Sequence, residues 1–141
     1  TLPPEALEFL FKPIPRSRDE YIEYFVSTWV LLSGPYYPMD EKTSRRLAEE
    51  SFRRGFSPAG SARQIAAILA ARNRKEDLKR LKVPALVIHG DEDPLVPVEC
   101  GLDTAQAIPG AKLKIIKGMG HALPKALWKE IIGAITDHAR E

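Results

Sequence analysis

The 141-residue sequence has no long apolar run, one cysteine and almost no net charge. No apolar segment approaches the length of a membrane span, so we expect no contact with a membrane. The formal net charge is +2, and basic residues are interleaved with acidic ones, so a nucleic-acid partner is not expected either. The single Cys100 excludes an internal disulfide framework and is compatible with a reducing cytoplasm, where we expect the protein to reside.

Three kinds of functional motif are also missing. The three histidines and the cysteine do not have metal-ligand spacing, so no metal site is predicted. The segment Gly118-Met119-Gly120 lacks the third glycine of a phosphate-binding loop, so no cofactor is predicted. Residues 55–59 imitate a G-x-S-x-G nucleophile elbow, but they end in alanine and follow a charged helix instead of a strand. Ser57 is therefore interpreted as an ordinary loop serine.

The first half of the chain, residues 1–80, is predicted to form helices joined by short turns rich in proline and glycine. Ser17 has glutamate three residues later, a capping box that begins the clearest helix of this half. Asp40 is a predicted N-cap for the next helix, and Gly55 is its predicted C-terminal stop. A further helix is predicted to begin at Gly60. Four or five helices without an intervening strand indicate a helical layer.

The last sixty residues have the pattern of a parallel β-α-β-α unit. The apolar run Ala-Leu-Val-Ile at 85–88 lies between proline and glycine, which is typical of a strand buried on both faces. About a dozen helical residues separate it from a second strand at 112–116, enough for a parallel crossover. A last helix from about 124 to 140 has an apolar face that we expect to cover the sheet. That face consists of Trp128, Ile131, Ile132 and Ile135.

Two strands are too few for this sheet. An isolated two-stranded sheet is marginally stable at best in water, and a strand as apolar as 85–88 needs neighbours at both edges. We therefore expect the chain to be part of a longer protein. We also expect it to self-associate, or to pair with a missing N-terminal half, because an open strand edge is a template for pairing.

A loop with reactive side chains follows each strand. The first loop, HGDEDPLVP at 89–97, contains three carboxylates, and the second, KGMGHALP at 117–124, contains His121. Both loops leave the C-terminal ends of parallel strands, where open α/β sheets place their functional residues. A carboxylate that holds a histidine in one tautomer makes it a general base. From the residues alone any of the three carboxylates fits this role, and His121 fits equally well as a helix cap.

With these loops the sequence resembles the C-terminal end of an α/β-hydrolase, through an acid loop G-x-x-D-x-x-V-P and a base loop G-x-G-H. The helical stretch before them is similar to the cap that many such enzymes insert in mid-chain. The likeness is greatest to bacterial esterases of small molecules, including the aclacinomycin methylesterase type. The resemblance implies an α/β fold with an incomplete sheet, in which a helical cap segment at 1–80 precedes a C-terminal βαβα portion of the core at 81–141.

The resemblance also implies roles for individual residues. Asp93 matches the acid and His121 the base of a catalytic triad whose serine nucleophile is absent from this chain. The alternative for Asp93 is an N-cap ahead of Pro94, and Asp91 and Glu92 are interpreted as solvated turn residues. The implied activity is hydrolysis of a small-molecule ester by the intact enzyme, with the chain alone inactive. The alternatives are a non-catalytic or partner-binding module, or dehalogenation or C–C bond hydrolysis on the same fold.

The remaining polar candidates are interpreted as structural. Cys100 lies near a helix start without an evident partner. His89 is expected to bond locally beside the end of the sheet, and His138 to lie at the surface near a helix C-terminus. The aromatic and aliphatic residues of the helical half are candidates for an apolar substrate pocket, with core packing as the competing role for Trp29. They are Trp29, Tyr36, Tyr37 and Met39.

Overall fold

The structure, a computed structural model, describes residues 11–55 and 57–140. Among them, no helix is both long enough and apolar enough to cross a membrane. The elements in chain order are α1 (Arg18–Ser33), α2 (Glu41–Arg54), α3 (Pro58–Ala70), α4 (Lys75–Leu78), β1 (Leu86–Gly90), α5 (Val98–Ala107), β2 (Lys112–Ile116), a 3-10 turn (Lys125–Leu127) and α6 (Trp128–His138).

The chain forms two compact units. A helical unit comprises Thr1–Leu31 and Met39–Arg72, and an α/β unit comprises Leu32–Pro38 and Asn73–Glu141. The α/β unit therefore includes a short segment from the first half of the chain, which sequence patterns had not assigned to it. The division into a cap at 1–80 and a core portion beyond it stays a prediction.

Local capping signals determine where the helices of the helical unit begin and end. Asp40 accepts a hydrogen bond from the backbone amide three residues later, at 2.8 Å, and Gly55, with φ of 83°, ends the helix that Asp40 begins. Ser57 caps α3 by accepting from the backbone amide of Gly60 at 3.0 Å. Helix α3 therefore begins at Pro58, two residues before the predicted start. Proline is compatible with the first turn because its missing N–H has no partner there.

Side chains of α1 and α2 contact each other within the helical unit. Ala48 of α2 is fully buried, and the rings of Tyr21 and Phe52 lie with centroids 5.4 Å apart. At the exposed edge, Arg45 donates a hydrogen bond to Glu23 at 2.7 Å. This bond holds the pKa of the Glu23 carboxyl below its ordinary value of 4.5, because the guanidinium favours the charged form.

The α/β unit contains the predicted parallel pair of strands. Leu86 pairs with Lys112, and the register continues to Gly90 opposite Ile116. Helix α5 connects the strands, and the fold class is α/β with a small sheet, as predicted. The first strand is half-buried over four of its five residues, so the predicted burial on both faces is wrong for this chain. Within the described residues only β2 pairs with it, and one edge therefore has no neighbouring strand.

The last helix covers less of the sheet than predicted. The 3-10 turn precedes α6, and Ile131 of α6 is buried in a cluster with residues of β2 and the following loop. The other three apolar residues are between 50% and 58% exposed: Trp128, Ile132 and Ile135. Successive helical residues are about 100° apart, so two strands meet only one side of a broad apolar face. The expectation that the whole face covers the sheet is wrong.

Candidate active site

The site lies where β1 and β2 end side by side. Their last residues, Gly90 and Ile116, are register partners, so the acid loop (residues 91–97) and the base loop (residues 117–124) leave the same edge of the sheet. A Cβ atom on Gly90 would lie 1.9 Å from the carbonyl oxygen of Met119, so only glycine permits this approach. The loops also bond backbone to backbone, since the amide of Glu92 donates to the same carbonyl at 3.1 Å.

Asp93 uses both of its carboxylate oxygens. Oδ1 accepts hydrogen bonds from the backbone amides of Leu95 and Val96, each at 2.9 Å, which holds the turn of the acid loop. Oδ2 lies 2.8 Å from Nδ1 of His121, and the Asp93 side chain is only 6% exposed. This separation is within the hydrogen-bond reach, about 2.6–3.2 Å, that an orienting carboxylate needs. Helix α5 begins later, at Val98, so Asp93 is not its N-cap.

His121 has one ring nitrogen bound and one available. Nδ1 faces the Asp93 carboxylate, and no residue that the structure describes forms a hydrogen bond with Nε2. The His121 side chain is 37% exposed. Its backbone amide donates to the carbonyl of Leu32 at 2.7 Å, and the following 3-10 turn begins only at Lys125, so His121 does not cap a helix. A neutral ring that donates from Nδ1 presents a lone pair on Nε2, as a general base requires.

Asp91 is an exposed turn residue, as predicted, and its side chain also joins the two loops. Its Oδ1 accepts a hydrogen bond from the backbone amide of Gly118 at 2.6 Å, which joins the two loops across 27 residues of sequence. Sequence analysis missed this bond because no local pattern signals a contact with another loop. The carbonyl of Leu32, which anchors His121, was missed for the same reason. The side chain of Glu92 is exposed, in agreement with its interpretation as a solvated residue.

Of the other polar candidates, His89 lies nearest the acid–base pair, with Nε2 3.7 Å from Asp93 Oδ2. His89 bonds locally as predicted, with Nε2 2.9 Å from the carbonyl oxygen of Val96. Cys100 is free and exposed on α5. His138 is partly buried instead of lying on the surface, and its Nδ1 has no partner among the described residues. The surface prediction for His138 is wrong because only part of the last turn of α6 faces solvent. No group of three or more histidine, cysteine or carboxylate side chains is arranged to hold a metal ion in the described ranges.

The four candidates for an apolar pocket divide between the two units. Tyr37 packs against the buried cluster of the α/β unit, and Tyr36 lies over Gly118, where a Cβ atom would be 3.0 Å from the tyrosine Cβ. Trp29 and Met39 belong to the helical unit, and the ring of Trp29 lies 5.9 Å from another ring of α1. Core packing is therefore the observed role of Tyr37, and the pocket role of the others stays a prediction.

Comparison with known proteins decides the family. The sequence profile described as alpha/beta hydrolase fold matches residues 3–124. The chain belongs to the α/β-hydrolase fold family. It is 33% identical over 129 residues to rhodomycin D methylesterase DnrP of Streptomyces peucetius, an alignment that covers 86% of this chain and 41% of that protein. It is also 47% identical over 49 residues to non-heme chloroperoxidase CPO-A1 of Kitasatospora aureofaciens, which covers 34% of this chain and 18% of the relative.

Solved α/β-hydrolase structures have the same fold. Bromoperoxidase from Bacillus anthracis superposes with a TM-score of 0.68 at 25% identity, over 94% of this chain and 55% of that one. Esterase RhEst1 from Rhodococcus sp. gives a TM-score of 0.66 at 20% identity, over 96% of this chain and 46% of that one. The chain spans about half the length of these two solved structures and 41% of rhodomycin D methylesterase DnrP. The predicted resemblance to α/β-hydrolases is confirmed.

Proposed function

We propose that this chain supplies the general base and its orienting carboxylate to a serine-type α/β-hydrolase that cleaves small-molecule carboxylic esters. The observation that carries the proposal is the 2.8 Å contact between Asp93 Oδ2 and His121 Nδ1. The methylesterase relatives support an ester as the substrate, and the hydrolase family supports acyl transfer as the reaction. Asp93 is held by two backbone amides, so its carboxylate has a defined direction toward His121.

The geometry supports a two-step reaction. His121 Nε2 takes the proton of a serine hydroxyl as the serine oxygen attacks the ester carbonyl, and Asp93 stabilises the imidazolium that forms. The ester C–O bond then breaks as His121 returns the proton to the leaving alcohol. In the second step His121 takes a proton from water, which attacks the acyl-serine, and then returns it to the serine oxygen. The serine would come from outside this chain, which contains no G-x-S-x-G motif, so we propose that the chain alone is inactive.

A peroxide-dependent reaction is the second candidate. It is favoured by the 47% identity to a non-heme chloroperoxidase, although that alignment covers only 49 residues. A relative from Acinetobacter calcoaceticus, 25% identical over 128 residues, is named a bifunctional esterase/perhydrolase, so its name includes both an esterase and a perhydrolase activity. Ester turnover that is independent of peroxide supports the first proposal, and halogenation that requires peroxide supports the second.

We also propose that the open edge of β1 is covered by association. Unpaired strand edges are templates for pairing, and β2 occupies only one edge of β1 within the described residues. The partner is a second copy of the chain or an N-terminal half of the enzyme. Sedimentation that shows only a well-folded monomer at micromolar concentration would contradict this.

We also propose a cytoplasmic location, because the single cysteine is compatible with a reducing compartment.

The ring tautomer of His121 tests the proposed acid–base pair. In the ¹⁵N-labelled chain at about pH 8.5, where histidine is ordinarily neutral, we expect a proton on Nδ1 and none on Nε2. Asp93→Asn keeps an oxygen for the amides of Leu95 and Val96 but presents an NH₂ group to His121. The ring should then change to the Nε2–H tautomer. Long-range ¹H–¹⁵N spectra distinguish the two forms.

The matched control is Glu92→Gln, which removes a neighbouring exposed carboxylate and should leave the ring unchanged. A wild-type ring already protonated on Nε2, or one that does not respond to Asp93→Asn, would contradict the proposal. A p-nitrophenyl ester assay completes the test, since the chain alone should match buffer. Turnover that is abolished by His121→Ala would show that the chain has its own nucleophile.

A further inference from the structure

The base loop has little stiffness of its own. Gly118 has a φ of 75°, a region that favours glycine, and another glycine follows two residues later. Glycine loses more conformational freedom on folding than any other residue, so this segment orders only if other groups hold it. His121 comes directly after the segment, and a displacement of the loop would move its ring away from Asp93.

Three hydrogen bonds join residues 118–121 of the base loop to residues distant in sequence. The amide of Gly118 donates to Asp91 Oδ1 at 2.6 Å, the carbonyl of Met119 accepts from the amide of Glu92 at 3.1 Å, and the amide of His121 donates to the carbonyl of Leu32 at 2.7 Å. Two of these bonds are between backbone groups and exist whatever the side chains are. The first is the only one of the three that depends on a side chain.

Asp91 is suited to this contact by charge as well as distance. A carboxylate that accepts from a backbone N–H makes a shorter and stronger hydrogen bond than a neutral acceptor does. Gly118 is buried, so its amide would lose a needed partner if the carboxylate were removed. The bond also links the residue two positions before Asp93 to the residue three positions before His121. It therefore connects the two halves of the pair at short range.

We propose that Asp91 is a positioning residue for the Asp93–His121 pair. Its carboxylate fixes the start of the base loop through the Gly118 amide, and this keeps the His121 ring on the Asp93 carboxylate. The inference rests on the proposed function, because positioning matters only if the pair acts in catalysis. It assigns a task to Asp91, the first carboxylate of the acid loop, which touches neither the His121 ring nor Asp93 in the contacts described above.

The test compares Asp91→Ala with Asp91→Asn in the full chain. Loss of a charged acceptor should speed hydrogen exchange at the Gly118 amide by roughly tenfold or more. If Asp91 positions the pair, His121 in Asp91→Ala should populate both the Nδ1–H and the Nε2–H tautomers instead of the Nδ1–H tautomer alone. Asp91→Asn retains an oxygen acceptor for the Gly118 amide, so His121 in this variant should remain mostly in the Nδ1–H tautomer. Glu92→Ala, which removes the adjacent exposed carboxylate, should change neither signal.

Each result decides the inference. Faster exchange at Gly118 with an unchanged His121 ring would overturn it and show that Asp91 only supports the fold. If Asp91→Ala does not fold, Asp91→Glu replaces it, since the carboxylate is kept but moved by one methylene. A shifted Gly118 amide with a normal His121 ring would then overturn the inference. A wild-type ring without Nδ1–H would instead reject the proposed function, and Gly118 exchange would still report the Asp91 bond.

Discussion

The helical unit and the α/β unit are ordered by hydrogen bonds of different range. In the helical unit, Asp40 and Ser57 each cap a helix by accepting from an amide three residues later. In the α/β unit, the site depends on the bonds of Asp91 to Gly118 and of Asp93 to His121, which span 27 and 28 residues. The first kind of bond is visible in a short window of sequence. The second exists only after two strands have paired.

Glycine shows the same contrast. Gly55 ends α2 with φ of 83°, and a Cβ atom there would meet nothing within 4 Å, so its role is conformational. Gly90 has no positive φ, and its role is to let the carbonyl of Met119 approach. At Gly55 the backbone conformation requires glycine, whereas at Gly90 the contact between two distant segments requires it. Variants of the α/β unit should therefore have the larger effects.

The largest effect is expected for Gly90→Ala. A Cβ atom would lie 1.9 Å from a backbone oxygen, which cannot rotate away as a side chain can, so the two loops must separate. We expect a loss of at least about 4 kcal/mol in the free energy of unfolding, above the usual cost of overpacking. Urea unfolding measures it, and NMR should show the His121 ring released from Asp93.

Gly133→Ala is the control for this substitution within the same unit. Gly133 lies in α6, and a Cβ atom there would meet nothing within 4 Å. Alanine should stabilise the helix by about 0.5–1 kcal/mol, because glycine is the poorer helix former. Equal destabilisation by the two variants would show that the close approach of the loops does not set the stability of the α/β unit.

A smaller effect is expected at α6, where two adjacent isoleucines differ in burial. Ile131 is 7% exposed and packs in the cluster of the α/β unit, whereas Ile132 is 58% exposed. Ile131→Ala should lower the free energy of unfolding by about 2–4 kcal/mol through lost burial and a cavity. Ile132→Ala should change it by no more than about 0.5 kcal/mol. A large loss of stability in Ile132→Ala would mean that association buries the exposed side of α6. The size of that loss should then depend on protein concentration.

A smaller loss than for Ile131→Ala is expected when the helix cap of the helical unit is removed. Asp40→Ala removes the acceptor at the start of α2 and should lower Tm by roughly 3–6 °C. Asp40→Asn keeps an oxygen acceptor and should lower Tm less. Scanning calorimetry measures both. If Asp40→Ala destabilises the protein as much as Ile131→Ala does, the expected difference between the two units is contradicted.

The cap should also depend on pH. Hydrogen bonds from Thr43, side chain first and then backbone, hold the pKa of the Asp40 carboxyl below its ordinary value of 3.8. A carboxyl with a lowered folded pKa contributes stability above its unfolded pKa, and this contribution is lost as the pH falls through the folded value. The difference in Tm between wild type and Asp40→Asn should therefore be constant above about pH 5 and shrink below about pH 4. An unchanged difference at acid pH would show that charge has no part in the cap.

The sequence by itself determined the helices, the two strands and the pair of residues at the site. Asp40 and Gly55 were predictable as helix ends because a cap and its helix are neighbours in sequence. The strands were predictable from short apolar runs between turn residues, and His121 and a cluster of three carboxylates from their place after those strands. Selecting Asp93 among three carboxylates required the family resemblance, since spacing alone fits all three.

Only the tertiary structure decided how the loops are joined and which apolar residues are buried. No window of sequence shows that Asp91 reaches Gly118, because the bond depends on strand register and on the close approach at Gly90. The apolar face of α6 likewise predicts burial, but the number of strands beneath it sets how much is covered. Contacts between residues far apart in sequence depend on the positions of both segments, and a sequence pattern within one segment does not specify where the other lies.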